Sequence, residues 1–197
     1  MPDIYLIGGA NGSGKTTVAL QLLPESLGVL EYINADEIAK GLSPFNPQSV
    51  AIQAGRLMLE RLQVLKAQGI SFAFESTLAG RNFASFLNEC QNAGYKVNLI
   101  YFWLKSPDLA CQRVQQRVAS GGHNIPYDVV LRRYERGRIN FMNLYSRLSN
   151  QWIVYDNSGD APILIAERPL DGNPIIYQPP IWQLITRLDN VRPNSPE

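Results

Sequence analysis

The chain has 197 residues, 45% of them hydrophobic, and a formal net charge of +1. That is enough apolar sequence for one full hydrophobic core and too much for a disordered chain. Near-neutrality argues against a non-specific polyanion binder, and no apolar run approaches the ~18 residues of a membrane span.

In chain order, the first strand is predicted over 4–8. Directly behind it, Gly9-Ala10-Asn11-Gly12-Ser13-Gly14-Lys15-Thr16 fits G-x-x-x-x-G-K-[ST], the phosphate-binding P-loop, and a helix is predicted over 15–23. Strand before and helix after is the context the motif requires; by composition alone it arises in roughly one in 200 chains of this length. The glycines let the backbone wrap phosphate oxygens without an intruding Cβ. The amides of Ala10, Asn11, Gly12, Ser13 and Gly14 can then form an anion nest, reinforced by the positive end of the helix that follows. Lys15 is expected on the β- and γ-phosphates, Thr16 on Mg²⁺ and Thr17 near the α-phosphate of ATP. The competing reading is an ordinary Gly-rich turn. Met1-Pro2-Asp3 has no basic region of the kind that opens a signal peptide, so the expected location is the cytoplasm.

Further strands are predicted over 30–34, 71–75, 97–104 and 152–156, and helices over 47–68, 81–93, 107–119 and 127–149. Asn46-Pro47 and Ser106-Pro107 each put a capping residue before Pro at the first helical position, and Gly69 and Gly94 sit where helices stop. The alternation predicts an α/β fold, with a parallel sheet covered on both faces. Ligands in such sheets bind at the carboxyl ends of the strands. After residue 156, short strands are expected at 163–166 and 175–177 and a last helix at 180–188. The Pro-rich tail, 191–197, is expected to be disordered. Cys90 and Cys111 have no metal or disulfide spacing and read as reduced, buried small hydrophobes.

The strand ends carry the candidate chemistry. Asp36, just past the second strand, could accept a substrate hydroxyl proton during attack on a γ-phosphate. It could instead hold Mg²⁺ through water, or cap a short helix over 37–40. Glu75 closes an apolar strand, where a charge must be paired or ligating; it reads as a substrate-hydroxyl or metal-water contact with Thr77 beside it, while Ser76 or Thr77 could simply cap the next helix. Arg113 and Arg117 share a helix face. Arg132, Arg133, Arg136 and Arg138 follow a turn, Ser120-Gly121-Gly122-His123-Asn124-Ile125-Pro126. Arg133 flanks an apolar stripe of Val130, Tyr134, Gly137, Phe141, Leu144 and Leu148, whereas Arg132 and Arg136 point away from it. Arg113, Arg117 and Arg133 are therefore the favoured phosphate contacts. His123 reads as a phosphate or substrate contact or as a solvent-exposed turn residue. Asn157, in the turn after the fifth strand, could frame the adenine ring or belong to an ordinary Asx-type turn.

Taken in order, several segments resemble the zeta-toxin family of P-loop kinases. They are residues 9–16, Ile33-Asn34-Ala35-Asp36, Phe74-Glu75-Ser76-Thr77, the stretch from Arg113 through Gly121-Gly122-His123-Asn124-Ile125-Pro126 to Arg132-Arg133-Tyr134, and Tyr155-Asp156-Asn157-Ser158-Gly159. The chain looks most like the stand-alone members, over about residues 3–160. The resemblance implies a three-layer P-loop NTPase fold with a five-stranded parallel sheet in the order 2-3-1-4-5. It implies a single domain over 1–190 with a kinase-type helical lid at about 113–137. It further implies ATP- and Mg²⁺-dependent phosphorylation of a hydroxyl of UDP-N-acetylglucosamine. On that resemblance Asp36 is the catalytic base, Glu75 and Thr77 are substrate contacts, and Lys15 and Arg117 bind and activate phosphate. Two positions depart from the family pattern. Leu78, Ala79 and Gly80 separate Thr77 from Arg81, the expected substrate-side Arg, and the second lid Arg falls on His123, for which Arg133 could compensate.

The resulting expectation is an ATP-dependent kinase of a small hydroxylated substrate, possessing a protein antitoxin as a candidate partner and neither a membrane nor a nucleic acid as one. Rival readings are a kinase of another acceptor (a nucleic-acid 5′ end, a sugar, an antibiotic) and a non-catalytic nucleotide-binding switch or partner-binding module.

Overall fold

In the computed structural model, which describes residues 1–119 and 125–187, strands and helices alternate as the periodicity requires. β1 (Asp3–Gly9) leads through the P-loop into α1 (Lys15–Ser26). β2 (Tyr32–Ile33), α2 (Ala35–Leu42), a 3₁₀ turn (Pro47–Val50) and α3 (Ala51–Gln68) follow. Next come β3 (Phe72–Ser76), α4 (Phe83–Asn92), β4 (Lys96–Trp103) and α5 (Pro107–Ala119). α6 (Tyr127–Asn140) continues through a π-helical turn (Phe141–Tyr145) into α7 (Ser146–Leu148). β5 (Gln151–Asp156), β6 (Ile163–Arg168), β7 (Ile175–Ile176) and α8 (Pro179–Thr186) complete the described elements. The tail expected at 191–197 lies outside the described residues.

The strands form one sheet in the order β2-β3-β1-β4-β5-β6-β7. The first five are parallel, in the expected 2-3-1-4-5 order. The sheet does not stop at five: among the described residues it has seven strands, because β6 and β7 add to its far edge in antiparallel fashion. The short connections after β5 and β6 leave no room for a crossover helix, so each strand can only fold back on the one before it.

The period-2 alternation of the strands sorts the core. Ile4 and Leu6, Phe72 and Phe74, and Val97, Leu99 and Tyr101 face α3, α4, the end of α6 and α8, where they meet Leu62, Phe86, Phe141 and Ile185. Ile7, Ala73, Ile100 and Phe102 face the other way, against Ala19 and Leu23 of α1. A third cluster packs α5 and α6 on the end of β4 through Leu104, Ala110, Val114, Val130 and Tyr134. Both cysteines are free and buried, and burial raises the Cys90 thiol to about 11. No helix among the described residues is long and apolar enough to cross a membrane.

Local differences from the sequence expectations have identifiable causes. The helix expected over 127–149 carries a π-turn at Phe141–Tyr145, and the extra residue per turn shifts the buried seam by one position. Tyr145 is fully buried in place of Leu144, its hydroxyl donating to the Gly80 carbonyl at 2.6 Å. Ser106 Oγ caps α5 by accepting from the Leu109 amide at 3.2 Å, whereas Asn46 makes no side-chain cap and its segment opens as a 3₁₀ turn. Arg138, the last of the four arginines after the 120–126 turn, is buried and donates to the carbonyls of Ile185 (3.1 Å) and Arg187 (2.5 Å), fastening α8 to α6.

Candidate active site

The P-loop crosses the carboxyl end of the sheet between β1 and α1. Gly14 is left-handed at φ 83°, and a Cβ there would run into the Asn157 amide; both facts demand glycine. Gly12 is also left-handed, and its Cβ would lie 2.7 Å from the Ala110 carbonyl of α5. Within the loop Ala10 and Ser13 are buried, with the Ser13 amide donating to the Ala10 carbonyl at 3.2 Å. Lys15 Nζ donates to the same carbonyl at 2.9 Å. Its burial holds the ammonium below the ordinary lysine pKa. Glu75 and Asp36 pull the other way, and Arg117 and Arg133 add to the lowering. Lys15 thus sits between two carboxylates and two guanidiniums.

The end of β2 positions Asp36. Asn34 is the N-cap of α2, its Oδ1 accepting from the Asp36 amide at 2.8 Å. This corrects the helix-capping reading of Asp36: the cap is two residues earlier, and the Asp36 carboxylate makes no hydrogen bond or ion pair among the described residues. Asn34 Nδ2 also reaches Thr16 Oγ1 and the Tyr32 hydroxyl, each at 3.4 Å. The Tyr32 hydroxyl in turn donates to Glu75 Oε1 at the end of β3. Burial first, then the adjacent Glu75, push the Tyr32 pKa far up, so the phenol remains a donor and fixes the Glu75 carboxylate.

The helices over the P-loop supply cations. Arg133 of α6 donates to Asn11 Oδ1 at 3.3 Å. Arg117 is exposed on the last turn of α5. Arg113 is engaged: it donates to the carbonyls of Asn157 (2.7 Å), Ser158 (3.2 Å) and Gly159 (3.4 Å). Asn157 Nδ2 donates to the Ser13 carbonyl at 2.8 Å. Arg113 and Asn157 therefore tie the turn after β5 to the P-loop. Arg132 and Arg136 are exposed.

Two cavities result. One, of about 560 Å³, is lined by Gly12, Gly14, Lys15, Thr16, Thr17, Arg113, Arg117 and Asn157, joined by Val18, Gln21, Asp160 and Pro162. The other, of about 390 Å³, lies across β3 and is lined by Asp36, Glu75, Ser76, Thr77 and Arg133, with walls from α3 and the start of α4. They share Asn11, Lys15, Asp36 and Glu75. A molecule in either cavity thus reaches the same lysine and the same two carboxylates.

The sequence-predicted residues divide accordingly. Arg133 sides with the second cavity rather than with the other two arginines. Arg81 is exposed and lines neither cavity, where its neighbours Asn82 and Phe83 do. His123 lies outside the described residues. Tyr32, Asn34, Asn82, Phe83 and the α3 residues Ile52, Gly55, Arg56, Met58 and Leu59 were not singled out from the sequence, although Ile52, Gly55, Arg56 and Leu59 recur at i, i+3, i+4 and i+7.

Comparison with known proteins agrees with this fold. A solved structure of the AvrRxo1-ORF1:AvrRxo1-ORF2 complex with sulphate ions matches 94% of this chain at a TM-score of 0.77 and 19% identity. The chain spans 64% of that protein's length. The PezAT chromosomal toxin–antitoxin system of Streptococcus pneumoniae matches 97% of this chain and 81% of its own at a TM-score of 0.66 and 16% identity. A Haemophilus influenzae protein described only as uncharacterized is 33% identical over 132 residues, 64% of this chain and 88% of its own length. The zeta-toxin family model matches residues 1–168. With the P-loop, the strand order and the matched span in agreement, the chain belongs to the zeta-toxin family of P-loop kinases.

Proposed function

We infer that this protein transfers the γ-phosphate of ATP to a hydroxyl of a small acceptor, with ATP at the P-loop cavity and the acceptor in the cavity across β3. The observation that carries the reading is the junction of the two cavities at Lys15, Asp36 and Glu75, because phosphoryl transfer needs donor and acceptor held in line across one charged centre. The acceptor hydroxyl gives its proton to Asp36 as its oxygen bonds to the γ-phosphorus and the bond to the β-phosphate oxygen breaks, releasing ADP. An Asp36 carboxylate without a structural partner suits that role. Lys15, the P-loop amides and Arg117 and Arg133 compensate the charge on the transferring group. Glu75 and Thr77 hold the acceptor.

Mg²⁺ fits here as a phosphate-bound ion. Among the described residues no group of three or more His, Cys, Asp or Glu could hold a metal alone, and the Thr16 hydroxyl and the Glu75 carboxylate, which line the same cavity, offer the oxygen chemistry Mg²⁺ prefers. Bound with ATP, it supplies charge neutralisation at the β- and γ-phosphates.

Family membership favours UDP-N-acetylglucosamine as acceptor, and the PezAT likeness makes a protein antitoxin the partner to test. The experiment is a mass-spectrometric screen for transfer from ATP–Mg²⁺ to a panel headed by UDP-N-acetylglucosamine, with wild type and Asp36→Asn side by side. A product heavier by about 80 Da, absent with the variant, is expected; no product across the panel with ATP bound overturns the kinase reading. Growth arrest on expression of the wild-type chain alone is the matching test of toxicity.

A further inference from the structure

The wall of the acceptor cavity formed by α3 has features that folding alone does not explain. α3 puts Ala54, Met58, Leu62 and Leu65 into the core. The adjoining face, Ile52, Gly55, Arg56 and Leu59, turns to the cavity. Ile52 is 77% and Leu59 40% exposed there, so this face offers apolar surface to whatever enters.

Gly55 is the second feature. It stands inside an 18-residue helix, where glycine is less favourable than alanine. A Cβ on Gly55 would meet nothing within 4 Å. No packing requirement accounts for the glycine, and the space it leaves open belongs to the cavity.

Arg56 is the third. α3 carries three cations, and two are paired: Arg61 with Glu31 at 2.8 Å and Lys66 with Glu89 at 2.8 Å. Arg56 makes no ion pair among the described residues and lines the cavity with Asn82 and Phe83 on the facing wall. A guanidinium with free donors at a cavity wall is suited to bidentate capture of a phosphate or carboxylate.

Resting on the kinase reading above, we propose that this α3 face selects the acceptor: an anionic group pairs with Arg56 while a flat, weakly polar part lies over Gly55 between Ile52 and Leu59. The acceptor class is therefore a hydroxylated small molecule that carries a negative charge away from its reacting hydroxyl.

The test is calorimetric titration of protein saturated with a non-hydrolysable ATP analogue and Mg²⁺, using two matched probe pairs. These are UDP-N-acetylglucosamine against N-acetylglucosamine, and glucose 6-phosphate against glucose. Wild type is expected to bind at least one charged probe about tenfold or more tightly than its neutral partner, and Arg56→Gln to erase that preference. Gly55→Ala is expected to raise the melting temperature by about 2–4 °C while weakening the charged probe about tenfold, because the added methyl enters the cavity. A merely structural Gly55 would give the first change without the second. Failure of both charged probes to bind, equal affinity for charged and neutral members in both pairs, or a preference that survives Arg56→Gln overturns the proposal. Failure of the kinase reading looks different: the probe binds with the expected preference, yet ATP–Mg²⁺ adds no phosphate to any compound in the panel.

Discussion

The two halves of the site are built on different principles. The nucleotide side is local. Eight consecutive residues supply its backbone amides, its glycines and its lysine, and the sheet has only to present that loop between β1 and α1. The acceptor side is assembled from the end of β2, the end of β3, one face of α3, the start of α4 and an arginine of α6. Phosphate is the same group in every nucleotide, so one backbone motif suffices for it. An acceptor varies from one enzyme to the next, and side chains on separate elements can change one at a time without disturbing the loop. The comparison predicts that changes at the junction stop chemistry, changes on the acceptor side alter selectivity or local order, and changes at the P-loop lysine act on ATP.

The junction should show the largest effect. Both cavities share two carboxylates; Tyr32 holds Glu75, and Asp36→Asn removes the one without a hydrogen-bond partner among the described residues. A fall in kcat of about 10²–10⁴ is expected, with ATP affinity nearly unchanged in an equilibrium titration. If ATP affinity falls in step with kcat, Asp36 serves the nucleotide side and the division between the two halves breaks down.

Next is the loop after β3, on which Thr77 stands. Leu78 is left-handed at φ 57°, a conformation that costs a branched side chain about 1–3 kcal/mol. It is held there by α6: Asn140 Nδ2 donates to the carbonyls of Leu78 (2.8 Å) and Ala79 (3.2 Å). Gly137 gives the passing Thr77 carbonyl room that a Cβ would take. Asn140→Ala should lower stability by about 1–3 kcal/mol in denaturant unfolding, since it strands two carbonyls of a strained loop. The acceptor KM should rise with the loss of order around Thr77. An unchanged midpoint would mean the loop holds its shape unaided.

These contrasts explain what could be read from the sequence. The P-loop, the five parallel strands and their order were legible because each follows from a contiguous pattern or a family resemblance. β6 and β7 were visible as short apolar runs, but that they extend the same sheet depends on pairing between distant residues. The π-turn at Phe141–Tyr145 was invisible, because a stripe drawn at 3.6 residues per turn cannot announce an inserted residue. The resemblance made Arg81 the expected substrate-side arginine, yet it is exposed and lines neither cavity. Nothing in the sequence singled out Arg56. Only the fold reveals that Arg61 and Lys66 have acidic partners and Arg56 faces the cavity.

A smaller effect is expected at Tyr32. Tyr32→Phe keeps the ring and removes the hydroxyl that holds Glu75. One hydrogen bond to a charged acceptor is worth about 1.5–3 kcal/mol at most. Part of it is recovered by water at this half-buried site, so the acceptor KM should rise about tenfold or less. ATP affinity should stay close to wild type if Glu75 belongs to the acceptor side. A change confined to ATP or Mg²⁺ affinity would move Glu75 across the divide.

The smallest effect is a pH dependence at Lys15, and its sign is fixed by the direction of the shift. Burial disfavours the charged form and holds the free-state pKa below the ordinary 10.5. In the unfolded chain the lysine returns to its ordinary value, so between the two pKa values the unfolded state binds more protons. The contribution of Lys15 to the stability of the empty protein therefore rises with pH through that window. ATP acts oppositely, because its phosphates favour the ammonium and raise the pKa again. Binding then takes up a proton, and ATP affinity falls as pH rises through the lowered free-state value. Calorimetry of ATP binding in two alkaline buffers of different ionisation enthalpy measures that uptake directly. Lys15→Arg, which cannot lose its charge, should abolish the uptake wherever it still binds ATP. Equal uptake in the variant would assign the proton to another group and leave Lys15 charged throughout.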